Sequence, residues 1–189
     1  MILKFGRSTS GNRSSWSGIV SSEFSAASES ALRSVVITVS DRSAAGERED
    51  LSGPEAAHML QEKGIDVLRI EVIPDDREVI ESALRNCVAN DVPLVLTTGG
   101  TGFAPRDVTP EATLAVIERR ADGLTEAIRA ASLAKTPYAM LSRAVCGIAG
   151  NTILLNLPGS PKGVRECLEV VLPVLPHALR LLRKGEDEH

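Results

Sequence analysis

LVLTTGGTGFAPRDVTPEAT, residues 94–113, holds a strand, a turn and a helix start in one continuous stretch. Residues 94–97 form an apolar run of the length that a buried strand needs. Three glycines within four positions, Gly99, Gly100 and Gly102, then predict a tight turn. Thr109-Pro110-Glu111 carries the marks of a helix start: a hydroxyl cap, proline at the first helical position and an acid in the first turn.

The same strand, turn and helix grammar extends to both sides. Upstream, the β-branched run 34–39 predicts a strand that ends at Ser40-Asp41-Arg42. Residues 53–63 read as a helix closed by Gly64, and 67–73 read as a strand ended by Pro74. Val79, Ile80, Ala83, Leu84, Cys87 and Val88 recur at helical spacing. Downstream, a helix is predicted over 124–134, a strand over 152–157, and a final helix opened by Ser160-Pro161. Strands alternating with helices imply an α/β fold around a mostly parallel sheet. In such sheets ligands sit beyond the carboxyl ends of the strands.

Composition narrows the function classes. In 189 residues, hydrophobic residues make up 43% and charged residues 24%, so one globular domain with room for a tail is expected. Aromatics are only 3%, too few for a base-stacking surface, and the net charge of -4 gives no general attraction to nucleic acid or to an anionic membrane. No apolar run approaches the ~20 residues of a membrane span. Cys87, Cys146 and Cys167 are odd in number and widely spaced, which reads as reduced core thiols in a cytoplasmic protein. Residues 1–32 are dominated by serine and lack periodicity, and predict a disordered extension; their composition also fits a transit-like segment. The folded domain is expected over 33–184, followed by a charged tail over 185–189.

Chemistry is expected at three strand ends: Ser40-Asp41-Arg42, the glycine turn, and Leu157-Pro158-Gly159-Ser160-Pro161-Lys162-Gly163. A glycine turn lets backbone N–H groups approach an anion closely. Two such cradles on one sheet edge suit a polyphosphate better than a single carboxylate. The Walker and dinucleotide fingerprints do not fit: no Lys-Ser or Lys-Thr follows Gly102, and the first turn has only Gly46. Asp75 and Asp107 are candidate carboxylates just beyond strands. Asp75 also reads as a helix cap with Glu78, and Asp107 as an ion-pair partner of Arg106 or Arg143. Ser142 reads as a turn residue and Ser160 as an N-cap.

Residues 96–113 resemble the signature of the MogA/MoaB-type molybdenum-cofactor biosynthesis family. Ile73-Pro74-Asp75-Asp76, Leu141-Ser142-Arg143 and Asn156-Leu157-Pro158-Gly159-Ser160-Pro161-Lys162 match its other motifs in order. The resemblance runs from about Ser34 to Leu182. It implies a three-layer α/β/α sandwich, a homotrimer, and Mg²⁺- and ATP-dependent adenylylation of molybdopterin with release of pyrophosphate. A molybdenum-insertion protein downstream is the implied partner. It places catalytic and Mg²⁺-holding roles on Asp75 and Asp107. Substrate and nucleotide contacts fall on Ser40, Asp41, Gly99, Gly100, Thr101, Gly102, Ser142, Arg143, Pro158, Gly159, Ser160 and Lys162. Two other activities stay open: a non-catalytic molybdopterin carrier, and a CinA-like nucleotide pyrophosphatase.

Overall fold

The structure is a computed structural model and describes residues 32–184. The extension expected over 1–32, apart from Leu32, and the tail over 185–189 lie outside the described residues. Six strands form one sheet: β1 (Arg33–Val39), β2 (Asp66–Ile73), β3 (Leu94–Thr98), β4 (Arg119–Arg120), β5 (Cys146–Ala149) and β6 (Thr152–Leu157), in the order β2-β1-β3-β6-β5-β4. The first four strands of that order run parallel. β5 and β4 are antiparallel additions.

Strand alternation divides the core. Val36, Leu94, Leu96, Ile153, Leu155 and Leu157 face one side. There they pack on α2 (Ser52–Glu62), α5 (Asp122–Leu133), α6 (Pro161–Val171) and α7 (Leu175–Lys184). Val35, Ile37, Val39, Val95 and Leu154 face the other side, against α3 (Arg77–Ala89) and α4 (Thr109–Leu114). Helices on both faces give the three layers expected. With so few aromatics, aliphatic side chains carry the core, each fully buried Leu or Ile contributing ~1.5–3 kcal/mol.

Three local expectations change. The chain after β1 turns at once into a short helix, α1 (Asp41–Ala44), capped by Ser40 Oγ accepting the Ser43 N–H at 3.2 Å. Thr109 does not cap α4: its N–H donates to the Gly100 carbonyl at 3.1 Å, and its hydroxyl is buried against Gly100 without a partner. The final helix opened by Ser160-Pro161 forms as α6, and a further helix that the sequence did not predict, α7, follows it. Pro173 lacks an N–H and its ring clashes with the carbonyl four residues back, which stops α6.

Candidate active site

The parallel register aligns the strand ends. Val39 lies opposite Ile73, Thr38 opposite Thr98, and Thr98 opposite Leu157. Four turns therefore meet along one sheet edge: 40–41 after β1, 74–76 after β2, 99–108 after β3 and 158–160 after β6. The three turns singled out from sequence meet there, with the Asp75 turn beside them.

Glycine is required where the third turn passes closest to its neighbours. Gly99 has φ +96°, and a Cβ there would lie 2.3 Å from the Val39 carbonyl oxygen. Gly100 has φ +62°, and its Cβ would meet the Thr109 hydroxyl at 2.3 Å and Asp75 Oδ1 at 3.1 Å. The loop is also strapped from outside. Arg143 donates from its backbone to the Thr101 carbonyl at 3.0 Å and from Nε to the Gly102 carbonyl at 2.6 Å. Its remaining nitrogens bond the Asp107 carbonyl and the Glu111 carboxylate. The planar fork of Arg143 thus holds the loop's shape, a task that a lysine point charge cannot perform.

On one side of the loop is a polar pocket of about 210 Å³, lined by Ser40, Asp75, Gly99, Gly100, Asp107 and Gly159 among others. Asp75 is not the cap of α3; Asp76 is, accepting from the N–H groups of Glu78 and Val79 at 3.0 and 3.1 Å. Asp75 instead reaches toward the start of α1, where its Oδ2 accepts the Asp41 N–H at 2.8 Å. Burial pushes its carboxyl above the ordinary aspartate value, and the charges of Asp41 and Asp107 add to that push. Asp107 Oδ2 accepts the Ala104 N–H at 2.9 Å. Its carboxylate joins neither candidate arginine: Arg106 pairs with Asp41 at 2.7 Å, and Arg143 with Glu111. Among the described residues, each aspartate therefore has one oxygen tied to backbone and one left without a bond. That donor set fits Mg²⁺, a hard cation usually held by one or two carboxylates and completed by substrate phosphates and water. No group of three or more His, Cys, Asp or Glu suited to a metal occurs among the described residues, so an all-protein cage is not what is built here.

On the other side is a larger cavity of about 500 Å³, lined by Thr101, Gly102, Ser142, Pro158, Ser160 and Lys162 together with Tyr138 and Leu141. Ser160 Oγ accepts the Gly163 N–H at 3.1 Å and so caps α6, while its own proton stays available to a ligand. Lys162 is exposed and has no carboxylate partner among the described residues. Arg42 sits on α1 and lines neither pocket. All three cysteines are buried free thiols, and burial pushes Cys167 up to about 11 and Cys146 up to about 12.

Asp50 and Arg48 stand outside the motifs, and Asn156, inside one, has no role assigned from sequence. Asp50 Oδ1 accepts the N–H groups of Ser52 and Gly53, both at 3.0 Å, and its Oδ2 accepts the Thr38 hydroxyl at 2.7 Å. Ser52 in turn bonds Thr98 at 2.9 Å, so one hydroxyl network fixes the floor of the acidic pocket. Asn156, 1% exposed, donates to Thr97 and Thr113 at 2.9 and 2.8 Å and accepts the Val145 N–H at 3.1 Å. It ties β3, β6 and α4 together beneath the loop. Arg48 adds a cation to the acidic pocket. An Asp two residues before a helix start, and an Asn inside an apolar strand, were the signals available for Asp50 and Asn156.

The family described as probable molybdopterin binding domain matches residues 35–177. Molybdopterin adenylyltransferase of Helicobacter pylori strain J99 is 43% identical over 150 residues, covering 78% of this chain and 85% of that protein. Molybdenum cofactor synthesis protein cinnamon of Drosophila melanogaster is 44% identical over 154 residues; the match covers 80% of this chain but only 25% of that protein. The molybdopterin biosynthesis enzyme MoaB of Thermus thermophilus superposes with a TM-score of 0.76 at 48% identity, covering 80% of this chain and 96% of that one. The family match spans the strand ends that build both pockets: the chain belongs to the molybdopterin-binding domain family of molybdenum-cofactor biosynthesis.

Proposed function

We propose that this chain is a molybdopterin adenylyltransferase, joining the terminal phosphate of molybdopterin to the α-phosphate of ATP. The observation that carries the reading is the glycine loop, whose two sides line two chemically opposite pockets. A phosphate oxygen of the pterin forms a bond to the α-phosphorus. The bond from that phosphorus to the oxygen bridging to the β-phosphate breaks, and pyrophosphate leaves with the electron pair. A phosphate monoester is mostly dianionic at neutral pH, so no side chain must remove a proton. The work left to the protein is electrostatic and positional.

The free oxygens of Asp75 and Asp107 would hold Mg²⁺. When bound, that ion offsets the triphosphate charge and polarises the α-phosphorus. Ser40, Arg48 and the backbone of Gly99 and Gly100 face the nucleotide phosphates. Thr101, Gly102, Ser142, Ser160 and Lys162 receive the pterin and its phosphate, with Pro158 and Gly159 shaping the junction. We assign the activity to residues 33–184 and place it in the cytoplasm. A molybdenum-insertion protein would take the adenylated product. A closed homotrimer is expected, and a light-scattering mass of a single chain at micromolar concentration would overturn that assignment.

The test is incubation with molybdopterin, Mg²⁺ and α-labelled ATP. The expected result is label on the pterin with matching pyrophosphate. Label recovered only as free AMP would identify a hydrolase, and pterin bound without label would identify a carrier.

A further inference from the structure

The geometry points to Asp41 as a positioning residue that sets the spacing of Asp75 and Asp107, with Arg106 as its latch. Neither Asp41 nor Arg106 then serves as a phosphate contact. This inference rests on the reading of Asp75 and Asp107 just given.

Asp41 and Asp75 exchange two hydrogen bonds across 34 positions of sequence. The Asp41 N–H donates to Asp75 Oδ2 at 2.8 Å, and the Asp75 N–H donates to Asp41 Oδ1 at 3.0 Å. Arg106 then grips the Asp41 carboxylate with both arms, Nε to Oδ2 at 2.9 Å and Nη2 to Oδ1 at 2.7 Å. Arg106 is the residue before Asp107. A continuous chain therefore runs from Asp75 through Asp41 and Arg106 to Asp107, bridging the turn after β2 and the loop after β3 by way of α1. Two carboxylates meant to share one cation repel each other until it arrives. A charge-neutral bridge between their segments holds them at working distance without adding net charge. The bidentate bond pairs the Arg106 charge with Asp41, and neither residue lines either pocket. Mg²⁺ tolerates little departure from octahedral geometry, so a lost bridge should weaken metal binding while leaving the pterin cavity alone.

The experiment uses the full chain with Asp41→Ala, Arg106→Gln and the double variant. Backbone amide exchange at Asp75 is read without metal or nucleotide. Mn²⁺ affinity is read beside α,β-methylene ATP, and molybdopterin affinity separately. Expected are Asp75 amide exchange about tenfold faster in Asp41→Ala, where its acceptor is gone, and Mn²⁺ affinity lower by about 5–10-fold in both single variants. The double variant should be no worse than Asp41→Ala, since residues in one network are not additive. Molybdopterin affinity should stay within about twofold of wild type. Asp41→Asn keeps the acceptor for the Asp75 N–H but not the charge for Arg106; it should restore amide protection without restoring Mn²⁺ affinity, and it remains testable if the alanine variant folds poorly. Unchanged exchange at Asp75, or additive losses with Arg106→Gln raising only the KM for ATP, would overturn the inference. Absence of Mn²⁺ binding by the wild type would sink the metal reading of the site, while the exchange data would still decide whether Asp41 positions Asp75.

Discussion

The two faces of one glycine loop differ in how their polar groups are used. Toward the acidic pocket, each aspartate has one oxygen bonded to backbone and the other unbonded among the described residues. Toward the larger cavity, Ser160 caps a helix with a lone pair and keeps its proton, and Lys162 has no carboxylate partner among the described residues. The arginines near the loop are spent on structure instead, Arg143 on loop carbonyls and Arg106 on Asp41. Charge alone is therefore a poor guide to which groups the fold leaves unengaged. The faces differ in which groups keep hydrogen-bonding capacity after the fold has been built.

The aspartates are where the contrast between the faces is most exposed to test. Asp75→Asn and Asp107→Asn keep the acceptor for the Asp41 or Ala104 N–H but turn the free oxygen into a donor that repels a cation. Steady-state kinetics should show kcat lower by ~10², equivalent to ~2.7 kcal/mol of transition-state stabilisation. Molybdopterin affinity should stay near wild type. Wild-type turnover in both variants would remove the acidic pocket from the chemistry.

A smaller effect of the opposite kind is expected across the loop. Lys162→Ala should raise the KM for molybdopterin about tenfold, worth ~1.4 kcal/mol, with kcat at saturating pterin nearly unchanged. A rise in the KM for ATP instead would exchange the ligands of the two pockets.

The least effect is on stability, and its sign separates two neighbouring aspartates. The Asp75 carboxyl titrates above the ordinary value of 3.8 in the folded protein, mainly through burial. Between 3.8 and that raised value the folded state holds a proton that the unfolded state has lost, so stability falls as pH rises through this window. In metal-free protein, Asp75→Asn should raise the Tm at pH 7 by about 1–2 °C, a gain that shrinks as pH falls toward 3.8. Asp41 is the reverse case, held below 3.8 by its hydrogen bond to Arg106. Its contribution is present above 3.8 and disappears as pH falls through the depressed value. Asp41→Asn should therefore lower the Tm at pH 7, with the deficit closing in acid. Calorimetry from pH 7 downward checks both, and shifts of like sign would erase the distinction.

Much of this site was legible because strand-turn-helix units leave local marks. Apolar runs, glycines and Ser160-Pro161 marked where the chain enters and leaves the sheet, and the parallel order then brought those ends together. Ambiguity remained where two neighbouring residues offer the same local chemistry. Asp75 looked like the α3 cap, but Asp76 also precedes the helix; the Asp41 N–H, at the start of α1, bonds Asp75 and leaves Asp76 as the cap. Thr109 looked like a cap for the same local reason, but close packing against Gly100 turned its hydroxyl away from the helix. The antiparallel edge strand β4, with only Arg119 and Arg120, is too short to carry a period of its own.

The α/β class, the glycine turn and the family could all be read along the chain, because each is written in residues adjacent in sequence. Folding settled the rest: which oxygen of each aspartate is unbonded among the described residues, that the Arg143 and Arg106 guanidinium groups bond to protein, and that Asp50 and Asn156 brace the loop from below. Those outcomes depend on hydrogen bonds between residues tens of positions apart, such as Asp41 with Arg106 and Asn156 with Thr97. A donor can be spent only once, and which partner takes it is settled by what the folded strands bring within about 3 Å.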